Sequence, residues 1–405
     1  MVTLLLVGSG DQRYREYVLS ALSPHYRLWL ADSQAPTWQK RYLAGATVTD
    51  VTDPRAIVAA AGSAADDAGP VTGVLCYDEW LVEATARAAT ALGLPGPSAD
   101  AVTACRDKSA TRRLLTAAGV PQPLSMPVQS LDEAREAAET VGYPVVVKAR
   151  ALAGSMGVVR ADSPGELPAS YEAAAGTSRA FGGQGPCVLV EEYLDGPEIS
   201  VDSAVRGGGC DILVLARKRT GPAPYFEETG HTVDAADPLL ADPELRAALT
   251  EVHRALSFDH GVTHCEFRLT VAGPRLVEIN ARLAGDFIPY LGRLATGVDT
   301  ARAAADLAAG REPDMRRTRR GASGARFLYP GADCTVKDAS VAKVPPLPAL
   351  HQIIITAVPG QLMLLPPRGY LSRYACVIAA GDSLAQIEET LAKAESLVEL
   401  ETERF

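Results

Sequence analysis

Paired cysteines, a cationic surface and long apolar runs are what this sequence lacks. Its seven cysteines (76, 105, 187, 210, 265, 334 and 376) are scattered over 405 residues without a CxxC pair. Neither a zinc ribbon nor a disulfide framework is therefore supported. The six histidines show no metal-ligand spacing. A net charge of −10 argues against wholesale binding to nucleic acid or an anionic membrane, while a local phosphate pocket needs only a few cations. No apolar run approaches the roughly 20 residues that cross a bilayer. The opening MVTLLLVGSG has a short apolar part and no basic lead, so it reads as a first strand rather than a signal peptide. A reducing cytoplasm is the expected location, and no repeat or low-complexity tract is present. What is there is a composition able to bury a large core, 47% hydrophobic and 22% charged, over a length that suits two or three domains.

The first hundred residues alternate short apolar strands (TLLLVGSG, YRLWLADS, VTGVLCYDE) with helical stretches, one at DQRYREYVLSALSP and one near 54–62. That alternation predicts βαβ units on a parallel sheet. The Gly8-Ser9-Gly10 turn sits where a dinucleotide fingerprint would, but Arg13 occupies its third glycine position, which favours a tight structural turn or a substrate-facing loop. From about 107 the texture changes. Asp107 caps a helix ended by Gly119, and Ser130 caps another ended by Gly142. Strands follow at YPVVVKAR, GVVRADS, PCVLVEEYLDG, EISVDSAVRGG and CDILVLARKRT. Helices are expected near 242–257 and 298–309, a basic linker at REPDMRRTRRGASG, and strands in the last 75 residues before a final helix, SLAQIEETLAKAESLVELE.

VTHCEFRLT and RLVEINARL, joined through Ala272, Gly273 and Pro274, should pair as a hairpin. On extended chain, His264, Glu266 and Arg268 share a face of the first strand and Glu278, Asn280 and Arg282 a face of the second, and the two sets converge on one face of the hairpin. Two carboxylates and an amide oxygen form a hard, oxygen-only set of the kind Mg²⁺ uses together with phosphate oxygens. Arg282 can reach transferred phosphoryl oxygens. The alternative is a solvated sheet face laced by cross-strand ion pairs. Lys148 ends a VVVK strand beside Gly154-Ser155-Met156-Gly157, an arrangement that suits a polyphosphate and is also met as a plain turn. Further on, the backbone of Glu191-Glu192-Tyr193-Leu194 can meet an adenine edge, with Glu198 available for ribose hydroxyls.

In order and spacing, RDKSATRRLLTAAGVPQP, VVVKARALAGSMGV, VLVEEYLDGPEISVD and CEFRL…LVEINARLAGD make residues 100–310 resemble the ATP-grasp superfamily, in which two α+β subdomains hold ATP between them. The resemblance implies an α/β and α+β architecture in three parts. An N-terminal Rossmann-like (pre-ATP-grasp) domain spans 1–100, an ATP-grasp domain 101–310 with a lid at approximately 142–206, and a β-rich C-terminal region 311–405. It implies that Lys108 and Lys148 contact ATP phosphates under a loop at Gly154, Ser155, Met156 and Gly157. Glu191, Glu192, Tyr193 and Leu194 would hold adenine and Glu198 the ribose. Glu266, Glu278 and Asn280 would hold Mg²⁺, as two ions, with Mn²⁺ an admissible substitute. Arg282 would stabilise an acyl phosphate and the tetrahedral state that follows. Lys108 as a surface lysine and Ser155 as a turn residue remain alternatives.

The stretch KRTGPAPYFEETGHTV (218–233) is similar to the substrate loop of the L-amino-acid ligases, with Phe226, Glu228, Thr229 and His231 at the matching positions. Glu228 suits an ammonium and His231 a carboxylate or its phosphorylated form, although His231 could also be a loop histidine satisfied by backbone. Gly285 offers a backbone contact to substrate. The expectation is an ATP-dependent carboxylate–amine ligase acting on small molecules, amino acids first, without nucleic acid or membrane, and compatible with a homodimer. The rivals are a bicarbonate-activating carboxylase of the purine-biosynthetic or biotin-dependent type, an NAD-dependent dehydrogenase built on the GSG turn, and an ATP-binding regulator without turnover.

Overall fold

The structure, a computed structural model, describes residues 1–181, 188–221, 223–343 and 345–404; Cys187 and parts of the expected lid and of the TGPAPY stretch lie outside them. The N-terminal unit carries a parallel sheet in the order β3-β2-β1-β4, from β1 (Thr3–Val7), β2 (Arg27–Asp32), β3 (Leu43–Val48) and β4 (Val71–Leu75). α1 (Gln12–Leu22), α2 (Pro54–Ala68), α3 (Val82–Ala91) and α4 (Ala99–Arg106) accompany it. β1 is apolar throughout because both its faces are covered: Leu4 and Leu6 enter one core, Leu5 and Val7 another. α2 runs well past residue 62, carried on by buried Ala64 and Ala68.

α5 (Lys108–Ala118) leads into a second unit. β5 (Ser125–Val128), β6 (Val145–Ala149), β7 (Val158–Ala161) and β8 (Val188–Glu192) form a four-stranded sheet, β5-β8-β6-β7, covered by α6 (Leu131–Val141) and α7 (Leu167–Ala180). The expected caps are present: Asp107 accepts from the Ser109 and Ala110 amides, Ser130 from Glu133, and Gly119 ends α5 in the left-handed region.

The third sheet has eight strands, in the order β13-β12-β9-β10-β11-β14-β18-β16. It uses β9 (Glu198–Arg206), β10 (Gly209–Thr220), β11 (Glu228–Asp234), β12 (His260–Thr270), β13 (Gly273–Asn280), β14 (Ala322–Leu328), β16 (Leu350–Ile355) and β18 (Ala375–Gly381). α8 (Pro243–Ala255), α9 (Ile288–Thr296) and α10 (Thr300–Ala308) pack beside it. A small sheet pairs β15 (Cys334–Val341) with β17 (Leu362–Met363) and β19 (Val398–Arg404), and α11 (Leu384–Glu395) covers β14 and β18. α10 also closes on the N-terminal sheet, so closely that a Cβ on Gly73 would stand 2.3 Å from the Ala308 carbonyl oxygen.

Four expectations need correction. The 218–233 stretch is not all loop, since β11 begins at Glu228 and bonds both β10 and β14. The expected linker gives way at Ala322 to a strand inside the large sheet. The last helix ends at Glu395, and VELETER becomes β19, its period-two alternation matching the open edge of β15. The hairpin turn is tighter than 272–274: Thr270 pairs with Gly273, leaving Val271-Ala272 as the two-residue loop.

Candidate active site

Three units wall a cavity of about 370 Å³, in the size range of small-molecule sites. Its floor is one face of the large sheet. Register places His264 opposite Asn280 and Glu266 opposite Glu278, and on the other side of β12 sets Asp202, Ser200 and Glu198 beside His264, Glu266 and Arg268. Opposed carboxylates on neighbouring strands repel unless cations intervene. Here Lys218 Nζ lies 2.9 Å from Glu266 and Lys108 Nζ 3.2 Å from Glu278.

Lys218 is the hub that sequence reading missed. Its buried ammonium also lies 2.6 Å from Glu198 and 3.1 Å from Glu228. Burial works against its charge, but the three carboxylates more than compensate and raise its pKa well above the usual lysine value. Burial likewise pushes Glu266 up, yet Lys218 and His264 hold it well below the usual carboxylate range. His264, desolvated but bonded to Asp202 at 2.8 Å and to Glu266 at 3.3 Å, is carried up to about 9. Glu198, expected on ribose, is already held by Lys218 and, at 2.8 Å, by Arg268.

The roof is the four-stranded sheet. Lys148 lines the cavity with its ammonium 2.6 Å from Glu191, and Arg112 donates to the same carboxylate at 2.7 Å. Arg112 also donates to the carbonyls of Leu276 and Val277, tying the roof to β13. Burial raises the Glu191 carboxyl, but the two cations outweigh it and bring it down to about 2. Desolvation and the neighbouring Arg112 and Lys108 lower the Lys148 ammonium against the pull of Glu191. The Glu191 side chain therefore positions Lys148. The Glu192 and Tyr193 amides are bonded to Leu124 and Pro144 carbonyls, whereas the Leu194 amide makes no backbone hydrogen bond among the described residues. In the glycine turn, Gly154, Ser155 and Gly157 all have positive φ (65°, 56° and 68°). Such a run of left-handed residues aims amides at an anion. Gly154 and Ser155 line the cavity; Met156, Gly157 and Lys108 do not.

At the far end β11 carries a bulge. Thr220 pairs with Glu228 but Arg219 with Gly230, so Thr229 is the extra residue. Glu228 and His231 are three apart and would otherwise point to opposite faces; the bulge brings both into one cavity. His231 is 2% exposed with neither ring nitrogen hydrogen-bonded, and Glu228 Oε2 has no hydrogen-bond partner. Asp286 lies 3.5 Å from His231 and takes a bidentate pair from Arg373 at 2.6 and 2.8 Å. Arg373 also stands 3.8 Å from Glu228 and over the Phe327 ring. Asp286 and Phe287 both sit at positive φ (51° and 63°), a costly backbone held in place by that pair and by Phe287 against Tyr14.

Arg282 is not on the strand, which stops at Asn280. The chain turns there, and the guanidinium reaches back to Asn280 Oδ1 (3.0 Å) and across to Glu79 of the N-terminal unit (2.6 Å). Of the residues that sequence reading missed, Glu79 carried a signal: it follows β4, at the carboxyl end of a parallel strand where ligands commonly bind. Lys218 opens the 218–233 stretch but sits there between Arg217 and Arg219 with nothing to mark it, and Arg112, beside Arg113, and Arg373 carried no signal.

Two carboxylates and an amide fit Mg²⁺ only if phosphate oxygens and water complete the shell, and no group of three or more His, Cys, Asp or Glu among the described residues forms a closed metal cage. The face suits a metal-bound nucleotide rather than a resident ion. No described helix is long and apolar enough to cross a membrane.

The ATP-grasp domain family matches residues 141–290. The chain is 30% identical over 322 residues to the phosphoribosylamine–glycine ligase of Phenylobacterium zucineum, covering 73% of this chain and 74% of that one. It is 29% identical over 339 residues to human carnosine synthase 1, covering 76% and 39%. The chain spans less than half the length of several curated relatives, carnosine synthase among them. In fold it is similar to the L-amino acid ligase from Bacillus licheniformis, with a TM-score of 0.81, 18% identity, and 100% and 99% of the two chains covered.

Proposed function

The chain belongs to the ATP-grasp superfamily, and from that premise we propose that it is an ATP- and Mg²⁺-dependent ligase joining a carboxylate to an amine, with amino acids as the first substrates to test. The observation that carries the reading is the Glu266–Glu278 pair with Asn280, facing Lys148 across the cavity and flanked by Arg282.

The chemistry follows from leaving groups. A carboxylate oxygen cannot depart from carbon until it is phosphorylated. In the first step a substrate carboxylate oxygen attacks the γ-phosphorus, the bond to the β-phosphate oxygen breaks, and ADP leaves. In the second, an amine nitrogen attacks the acyl carbon, the carbon–oxygen bond breaks, phosphate leaves and the nitrogen sheds a proton. Mg²⁺ held by Glu266, Glu278 and Asn280 supplies neutralisation of phosphate charge. Lys148 and the Gly154–Ser155 amides grip phosphate oxygens from the roof, and the Leu194 amide meets adenine. Glu198 serves the ribose after exchanging a cation. Arg282, released from Glu79, stabilises the acyl phosphate and the tetrahedral state. Glu228 and His231, with open hydrogen-bonding capacity, orient the substrates beside Gly285.

Kinship with a carnosine synthase, a phosphoribosylamine–glycine ligase and the fold of an L-amino acid ligase supports carbon–nitrogen bond formation. ADP release should require both a carboxylate and an amine, and mass spectrometry across pairs of amino acids should find the condensed product. ADP release driven by bicarbonate alone would sink the reading in favour of a carboxylase.

A further inference from the structure

The cavity is lined by five arginines and lysines, and four are already matched. Lys148 holds Glu191, Lys218 holds Glu198, Arg268 holds Glu198 and Arg282 holds Glu79, at 2.6 to 2.8 Å. The fifth, Arg15, has no carboxylate within ion-pair distance among the described residues. Its guanidinium donates to the Ala284 carbonyl at 3.2 Å, and the Tyr17 hydroxyl lies beside it.

Arg15 is nonetheless held in place. Its guanidinium lies over the Tyr77 ring, 5.1 Å from the centroid, and the buried Tyr77 hydroxyl donates to the Ser9 carbonyl at 2.9 Å. Gly10, at φ 70°, lies against the side-chain stem: a Cβ there would stand 3.0 Å from Arg15 Cγ. The Gly8-Ser9-Gly10 turn, which had no assignment as a nucleotide fingerprint, thus clears the space in which Arg15 lies. The neighbouring Asp78, on the same wall, accepts from the Trp80 amide at 2.9 Å and forms no ion pair with Arg15.

We propose that Arg15, supplied by the N-terminal unit, is a specificity-determining residue that receives the carboxylate of the incoming amine substrate. An unpaired planar guanidinium at a half-enclosed wall is a receptor for a bidentate oxyanion. The Arg15 and Arg282 guanidinia donate to adjacent carbonyls, Ala284 at 3.2 Å and Leu283 at 2.8 Å, and both line the cavity, so a carboxylate on Arg15 would lie beside the group assigned to the acyl phosphate. An α-amino acid carries its nitrogen and its carboxylate on one carbon, so such neighbouring groups suit it. The acceptor is then an amino acid with a free carboxylate, and a simple amine or an amino-acid carboxamide is a poor substitute.

The assignment rests on the carboxylate–amine ligase reading, and the experiment separates the two. Each of the twenty L-amino acids is first offered with ATP and hydroxylamine, which traps an activated carboxylate as hydroxamate without a carboxylate-bearing acceptor. The same donors are then offered L-amino acids or their carboxamides as acceptors. The wild type should favour free-acid acceptors. In Arg15→Gln, KM for the free acid should rise roughly 10–100-fold, the loss of one charged hydrogen-bonded contact. Amide formed per hydroxamate should fall equally, and the preference over carboxamide should vanish. Arg15→Lys should recover part of each, which a merely misfolded variant would not. If Arg15→Gln leaves acid and carboxamide untouched, or weakens them alike, the assignment is overturned. If the wild type yields no hydroxamate with any amino acid, the failure precedes the acceptor and overturns the amino-acid reading beneath it.

Discussion

The two ends of the cavity handle charge differently. At the nucleotide end almost every ionised side chain is already paired within the protein: Lys148 with Glu191, Lys108 with Glu278, Lys218 with Glu198 and Glu266. At the end proposed for the acceptor, Arg15 lacks a carboxylate among the described residues, neither ring nitrogen of His231 is hydrogen-bonded, and Glu228 Oε2 has only Arg373, at 3.8 Å. Under the proposed function the difference fits what each end would bind. A Mg²⁺-nucleotide brings its own dense charge, and a site for it must hold like-charged carboxylates together beforehand. The lysines hold them together, and under the proposed function Lys148, which lines the cavity, would turn to phosphate. An amino acid brings one charge of each sign, and a site for it must leave matching valences open.

The comparison can be broken or sharpened by substitution. Glu278→Gln should remove the metal-facing carboxylate and cut ADP release roughly 10³-fold, whatever the acceptor. Arg282→Ala should cost nearly as much in amide formation while nucleotide affinity, read by calorimetry, changes far less. Equal loss of nucleotide affinity in both would erase the distinction between metal and transferred group. Glu191→Gln strands Arg112 and Lys148 in a buried place and should lower stability by about 3 kcal/mol in denaturant unfolding. An unaltered midpoint would show the pair to be exchangeable. Deleting Thr229 should restore regular pairing of β11, turn Glu228 away from His231 and reduce turnover about 10²-fold, with KM for ATP nearly constant.

The smallest effect is a pH dependence. His264 is raised to about 9 from an unfolded value near 6.5, so its contribution is fully present below pH 6.5 and fades as pH rises through about 9. Glu191, lowered to about 2 from 4.5, contributes above pH 4.5 and fades as pH falls towards 2. Thermal unfolding should show both limbs, and His264→Asn should flatten only the alkaline one.

What the sequence revealed follows the same division. Lys148, the Gly154 turn, Glu191–Leu194, Glu266, Glu278 and Asn280 lie in short stretches whose local spacing is set by single strands, and they meet in one cavity. The acceptor end is assembled from residues 10–15, 77–79, 228–231, 285–286 and 371–373, which come together only through tertiary packing. Even there FEETGH was recognisable, but its conformation was not: a one-residue bulge has no reliable signature in one chain. VELETER turned from helix to strand because an edge of β15 stood open to it, a fact that lies sixty residues away.

The large sheet does not stop where the ATP-grasp motifs stop. β14 bonds β11 along five residues, Gly230 to Asp234, and brings β18 and β16 with it. A chain cut near residue 310 would therefore lose more than a neighbour. It would bare the edge of the very strand that presents Glu228 and His231, leave Asp286 without Arg373, and offer a row of open amides and carbonyls to the next molecule. Truncation should give aggregates rather than a smaller enzyme.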